Sequence, residues 1–398
     1  TINVWCRSSL ISQMTFMFNI TEMVTPFLIQ YINNSEKVPK MDHFIIPNFP
    51  VKDMEHWGLI TYTKIIYDAN QYPTNRKKEI AAIVTHEIAH QWFGNLVTPS
   101  WWSYLWLKEG LASFFHTYII DKIFVDWRTM DFFVVDILHY CLRIDKGKLS
   151  PITFEFDNFK RLDLLSFIIY YKASTILRML QNTITDEVFR KGLIIYLATH
   201  EYGSTTPDDL WNAMQTVLDK SDIPHGHYKI KQIMDTWTNQ NSYPVVNVMK
   251  NYTTGEITIF QKCVCGQKSN NEWWIPITFA TQSNPNFSDT APRYLLQPNQ
   301  NITFKIDPND WIIVNIQQID SSMVNLNISR YMTMMLTIVF SSEYGSTTPD
   351  DLWNAMQTAL DKSDIPHGHY KIKQIMDTWT NQNSYPVVNV MKNYDRFF

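Results

Sequence analysis

The segment from Thr85 to Ser113, THEIAHQWFGNLVTPSWWSYLWLKEGLAS, limits what this chain can become more than any other. His86 and His90 lie four residues apart, about one helical turn, so on an α-helix both imidazoles project from one face. Two histidines so placed can share a zinc ion with bonds of about 2.0–2.1 Å. Glu87 falls beside that face, which suits a general base better than a third ligand. The third ligand must come from elsewhere, and Glu109, with eighteen residues between it and His90, is the candidate. Two histidines and one glutamate leave a coordination position open, as catalytic rather than structural zinc sites do.

Two histidines and a glutamate at this spacing also arise by chance, so the surroundings decide. The polar stretch Asn75 to Glu79 leads into a helical pattern from Ile80 to Phe93, which Gly94-Asn95 stops. Pro99 marks the connection to a second helical pattern from about Tyr104 to Ile120. Two helices joined by a short turn can face each other, the geometry a distant third ligand requires.

The run His86-Glu87-Ile88-Ala89-His90-Gln91-Trp92-Phe93-Gly94-Asn95-Leu96-Val97, then Trp101-Trp102 and Leu105-Trp106-Leu107-Lys108-Glu109-Gly110, closely resembles the gluzincin aminopeptidases of the aminopeptidase N type. That resemblance implies His86, His90 and Glu109 as ligands of one zinc ion per chain, with Glu87 as the base acting on a zinc-activated water. It implies peptides with a free N-terminus as substrates. Residues Pro47 to Tyr62 take the place of the family's GAMENWG motif, whose glutamate binds the substrate's α-amine. Glu55 matches that glutamate and Met54 precedes it, whereas Lys52, Asp53 and His56 depart from the motif. The plain alternative for this stretch is an edge strand with a solvated glutamate. In Ile169-Tyr170-Tyr171-Lys172-Ala173-Ser174, upstream of Leu177-Arg178-Met179-Leu180, the resemblance assigns Tyr170 rather than Tyr171 to the tetrahedral oxyanion. A phenol suits that role because it stays protonated at neutral pH. From the residues alone, two adjacent tyrosines on an apolar helix read as packing.

The fold class expected is α+β: a mainly helical, thermolysin-like zinc domain, then a small β-sandwich, then a duplicated helical segment. Helical spacing recurs at Trp127 to Ile144, Asp163 to Gln181 and Tyr228 to Asn239, and Thr206-Pro207-Asp208-Asp209 is a helix start. From Tyr243 the pattern becomes short alternating runs at Glu256–Phe260, Trp274–Ala280, Ile302–Ile306 and Trp311–Ile316. Glu201 to Tyr252 recurs at Glu343 to Tyr394, offset by 142 residues, with Val217 against Ala359 the only difference. The expected division is residues 1–23 as the remnant of an N-terminal β-domain, 24–243 catalytic, 244–320 β-sandwich, 321–342 connector, and 343–398 the repeat with its tail. Against the resembling family the chain reads as truncated.

Other features narrow the reading. A net charge of -4 gives no reason to expect nucleic acid as a partner. Four cysteines are too few for a disulfide scaffold; Cys263 and Cys265 would share a strand face without necessarily bonding. His225-Gly226-His227 reads as a polar loop rather than a metal pair. No stretch of eighteen apolar residues occurs, while six Asn-x-Ser/Thr sequons fit a secretory route. By resemblance the parent protein is membrane-anchored and extracellular, or secreted. The runner-up function is a catalytically weak or inactive binding protein on the same fold, motivated by the altered Lys52-Asp53 and His56 positions; an endopeptidase ranks third.

Overall fold

The computed structural model describes residues 1–33, 40–49, 53–63, 73–146, 149–155, 166–224, 228–265 and 269–327, with Val38, Gly226 and scattered positions from 350 to 380. The chain divides into two units, Thr1–Leu326 and Asn327–Phe398. Helix and sheet are mixed in the first.

Helix α1 (Thr15–Ile32) buries Met17, Ile20, Val24, Leu28 and Ile32, the three-and-four spacing of one helical face, and runs unbroken past residue 23. Pro26 is tolerated because it sits on the exposed side of the helix, where the carbonyl it leaves unpaired can meet water. Beside α1 lies a four-stranded sheet of β1 (Ile2–Trp5), β2 (Met41–Ile45), β3 (Asp53–His56) and β4 (Leu59–Tyr62), in the order β1-β2-β4-β3. The first three neighbours pair parallel; β3 closes the edge antiparallel, with Glu55 opposite Ile60.

Helix α2 (Pro73–Ala89) begins seven residues before the apolar pattern does. Proline at the first helical position has its φ preset, and the Arg76–Glu79 pair at 2.6 Å braces the first turns. The helix also ends earlier than the pattern predicts, at Ala89, with His90 to Phe93 in turns. Helix α3 (Leu105–Ile123) is buried almost all round, as a helix at the centre of a core must be. A two-residue strand β5 (Thr98–Pro99) ties the α2–α3 connection to β6 (Ser204–Thr205).

The pattern read as one helix over residues 127–144 is a broken rod: α4 (Thr129–Phe132), a π-helical turn over Phe133–Leu138, then α5 (His139–Ile144). A second π-helical turn, Ile168–Lys172, opens α6 (Ala173–Ile184). Helices α7 (Asp186–Thr199), α8 (Pro207–Leu218) and α9 (Ile230–Thr238) follow. At the start of α8, Asp209 Oδ2 accepts from the Thr206 backbone N–H and hydroxyl, each at 2.8 Å, at the helix start that the sequence suggested.

Strands β7 (Pro244–Lys250), β8 (Glu256–Cys263), β12 (Ile302–Lys305) and β14 (Met323–Asn327) form a sheet in the order β12-β8-β7-β14. Two ribbons accompany it, β9 (Ile275–Ile277) with β11 (Tyr294–Leu296) and β10 (Phe279–Thr281) with β13 (Ile312–Val314). Val246, Val248, Ile257 and Ile259 alternate inward, with Trp273, Ile275 and Ile277 also buried. Cys263 and Cys265 are joined in a disulfide.

In the second unit, α10 (Ile372–Thr380) repeats α9 residue for residue. The Ile372 N–H donates to Gln357 Oε1 at 2.8 Å, as Ile230 N–H does to Gln215. Lys373 pairs with Asp350 at 2.6 Å, as Lys231 pairs with Asp208 at 2.7 Å.

Fully buried on β2, His43 stacks on Tyr62 and shares a 3.0 Å hydrogen bond with its hydroxyl. Burial lowers its pKa from 6.5 to about 4, against the opposing charge of Asp42. On acidification the unfolded chain therefore takes up a proton before the folded one. This contribution is complete above pH 6.5 and drains as pH falls toward 4, by about 3 kcal/mol. Urea denaturation at pH 7.5, 5.5 and 4.5, compared between the protein and a His43→Gln variant, reads that slope; parallel slopes would refute it.

Candidate active site

His86 lies in the last turn of α2, His90 is the first residue of the turn after it, and Glu109 is a buried residue of α3. His90 Nε2 stands 3.1 Å from His86 Nε2 and 3.1 Å from Glu109 Oε2; His86 Nε2 to Glu109 Oε2 is 3.4 Å. A tetrahedral ion with bonds of about 2.0–2.1 Å holds its ligands about 3.3–3.4 Å apart, so this triangle fits one. His90 Nδ1 shares a 2.9 Å hydrogen bond with the Phe93 carbonyl, which places the proton on Nδ1 and leaves the Nε2 lone pair facing inward. Among the described residues, this is the one group of three or more His, Cys, Asp or Glu side chains able to hold a metal; His225 and His227 lie outside the described residues. Gly110 is what lets the helices close. A Cβ there would meet Ala173 Cβ at 2.6 Å, so glycine brings α6 against α3 one residue after the ligand.

Glu87 follows the first histidine on α2, is 7% exposed, and its Oε2 is buried with no hydrogen-bond partner. Burial pushes its carboxyl up to about 8, partly opposed by the charge of His90. Tyr170 stands in the π-helical turn before α6, its ring 5.8 Å from that of His86. Burial first, then the carboxylates of Glu109, Glu55 and Glu87, holds its phenol protonated well above the ordinary range. Tyr171 instead is 41% exposed and packs on Tyr140 and Phe167, so of the adjacent tyrosines only Tyr170 joins the cluster. The turn is anchored by the next residue. Lys172 forms a buried 2.6 Å ion pair with Asp145 and donates to the Ser242 carbonyl at 3.1 Å.

Glu55 reaches the cluster from edge strand β3, its side chain 13% exposed rather than solvated. Burial alone would raise its carboxyl; the charges of His90 and Lys108 hold it below the usual carboxylate value. Alternation along β3 turns the neighbouring Met54 side chain to the other face of the strand. Asp53 and His56 lie on the same strand, and Lys52 lies outside the described residues.

Residues not singled out by the sequence reading hold Glu55 in place. Gln91 Oε1 accepts from Gly58 N–H at 2.9 Å, while Gln91 Nε2 donates to the Glu55 and His56 carbonyls, each at 3.3 Å. Asn95 Nδ2 also donates to the Glu55 carbonyl. Lys108 pairs with the Glu55 carboxylate and stands 3.4 Å from Glu109 Oε1. His116, seven residues past Glu109 on α3, sets a third imidazole 5.8 Å from His86. Helical spacing was an available signal for His116, since i and i+7 share a face. Nothing local in the sequence points Gln91 or Asn95 at a strand more than thirty residues away. A separate cavity of about 1000 Å³, lined by Arg128, Arg143, Arg178, Tyr243 and Gln318 among others, shares none of the cluster residues.

A buried two-histidine, one-glutamate triangle flanked by a free carboxylate and a phenol defines a metallopeptidase-like centre. The family model described as "Peptidase family M1 domain" matches residues 16–237. The mouse protein named "Aminopeptidase N" is 33% identical over 350 residues, which cover 83% of this chain and 35% of that protein. A Bitis rhinoceros "Glutamyl aminopeptidase" is 36% identical over 256 residues, covering 63% of this chain and 26% of its own. The rat "Thyrotropin-releasing hormone-degrading ectoenzyme" is 30% identical over 348 residues, covering 82% and 32% respectively. The chain belongs to peptidase family M1, and spans about a third of the length of the curated relatives it matches.

Because Asn95 is the buttress of the Glu55 backbone, Asn95→Ala should lower unfolding stability by about 1–2 kcal/mol, the cost of leaving a partly buried carbonyl short of a donor. Equilibrium urea unfolding checks this, and a loss below a few tenths of a kcal/mol would show that the hairpin is held without it.

Proposed function

We propose that this chain is a zinc metalloaminopeptidase that removes the N-terminal residue from peptides. The observation that carries the reading is the convergence of the His86, His90 and Glu109 triangle with Glu87, Tyr170 and Glu55, drawn from α2 and the turn after it, α3, the π-helical turn and β3. His86, His90 and Glu109 would hold the ion. When bound, zinc supplies Lewis acidity, polarising the scissile carbonyl and bringing the ionisation of water toward neutral pH.

The chain's own groups supply the rest. Glu55 receives the substrate's α-ammonium, and charge pairing in a partly desolvated pocket both anchors the peptide and counts one residue from its end. The backbone of Met54, beside Glu55, lines the same stretch of substrate. Glu87 accepts the proton of the attacking water as oxygen bonds to the scissile carbonyl carbon; the positive charge of an occupied site favours its ionised form. Tyr170 donates its O–H to the oxygen that gains negative charge at the tetrahedral stage. Glu87 then delivers its proton to the peptide nitrogen as the C–N bond breaks, releasing one amino acid and a shortened peptide.

Residues 24–243 are inferred to be the thermolysin-like catalytic body and residues 244–320 a β-sandwich, with 343–398 a repeat lacking zinc ligands of its own. The word ectoenzyme in the rat relative's name supports an outer-surface location for the parent protein. No helix among the described residues is long and apolar enough to cross a membrane.

Hydrolysis of a short peptide with a free N-terminus, set against its N-acetylated twin with and without a zinc chelator, tests the reading. Chelator-sensitive cleavage of the free peptide alone is expected. Zinc binding at one equivalent with neither peptide cut would replace it with the inactive binding protein. Glu87→Gln should retain zinc and lose about 10²–10⁴-fold in turnover, and full activity would remove Glu87 from the role of base.

A further inference from the structure

The cluster contains one positive charge that the proposed reaction does not use. Lys108 is ion-paired to Glu55 Oε1 and lies 3.4 Å from Glu109 Oε1, with its side chain 21% exposed. Its stem occupies a gap made by Gly94, which has φ +139°; a Cβ at Gly94 would stand 3.0 Å from both Cγ and Cδ of Lys108. The head is thus seated on the carboxylate that receives the substrate's amine in the reading above, on which this inference rests. A lysine ε-ammonium and a peptide's α-ammonium are the same recognition group: a compact cation with three N–H donors.

We propose that Lys108 is the resident competitor of the amine subsite. Its ammonium neutralises Glu55 while the subsite is empty, and an incoming free N-terminus must displace it. Three considerations support this. Glu55 Oε1 is already engaged, and two ammonium groups on one buried carboxylate repel each other. Glu55 would otherwise stand partly buried with no cation on its carboxylate, a state that Lys108 relieves in the empty site and the substrate relieves in the filled one. Lys108 has a four-carbon stem and partial exposure, so its head can swing to water when the substrate arrives. An N-acetylated peptide carries no such charge and has nothing to exchange for it. The device therefore tunes affinity for a free N-terminus while leaving the metal ligands in place.

Two measurements test this with a dipeptide analogue whose scissile bond is replaced by an uncharged CH=CH isostere, alongside its N-acetylated twin. In calorimetric titrations, Lys108→Met should bind the free-amine analogue about tenfold more tightly if Glu55 is free in about a tenth of the unaltered molecules. The acetylated twin should bind both proteins alike. Weaker or equal binding of the free-amine analogue would overturn the proposal, making Lys108 a support for Glu55 rather than its competitor. The second measurement uses the unaltered protein labelled with 15N-lysine, with the Lys108 Nζ resonance followed by NMR. Displacement predicts that the free-amine analogue moves this resonance to that of a solvated lysine and the acetylated twin does not; an unchanged resonance overturns it. Glu55→Gln is run in parallel. If that variant keeps the unaltered preference for the free amine, Glu55 is not the amine acceptor and the aminopeptidase reading itself fails at that point.

Discussion

Three ligand atoms held within 3.4 Å of one another in a buried interior are the constraint on which the rest of this fold depends. Two imidazole lone pairs and a carboxylate do not gather there unaided, because burial penalises the charge and the nitrogens repel. The surrounding architecture enforces the gathering. Helix α2 presents His86 from its last turn and His90 from the turn that follows, α3 presents the buried Glu109, and Gly110 allows α6 to close against them. The Glu109 carboxyl is held well below its ordinary value although burial alone would raise it, because His90 and His86 lie against it.

Much of this centre was legible in the sequence because its chemistry is local. The i, i+4 histidines require only a helix, and the cap at Thr206–Asp209 requires only four consecutive residues. Choosing Tyr170 over its neighbour rested on resemblance; in the π-helical turn the Tyr170 ring lies beside His86 while Tyr171 packs on Phe167. Non-local relations were not legible. Asn95 read as a helix stop, yet its side chain also secures a carbonyl forty residues away. The start of α2 was missed because its first turns are polar, and the rod over residues 127–144 read as one helix because apolar spacing does not reveal a widened turn.

The repeat separates what is local from what is not. The second copy rebuilds α9 as α10 and recovers the same glutamine-to-backbone and lysine-to-aspartate bonds. Those bonds span at most twenty-three residues, so 52 residues of sequence are enough to encode them. Nothing of the metal triangle recurs, since its ligands lie before the repeated stretch. Duplication has copied a helical hairpin without copying the chemistry.

Glu109 links the two ends of the site. Its Oε2 faces both histidines and its Oε1 faces Lys108, which is in turn paired with Glu55. The metal-capable triangle and the proposed amine subsite are therefore neighbours in one electrostatic chain rather than two independent pockets. Charge gained at one end is felt at the other within a medium that screens far less than water. Gly94 belongs to the same chain, since a Cβ there would meet the Lys108 stem at 3.0 Å and His90 Nδ1 at 3.4 Å. The histidine motif and the lysine-glutamate pair, with seventeen residues between His90 and Lys108, are thus coupled by contact through Glu109. A change at Gly94 or Lys108 would reach the two histidines through Glu109 without altering either of them.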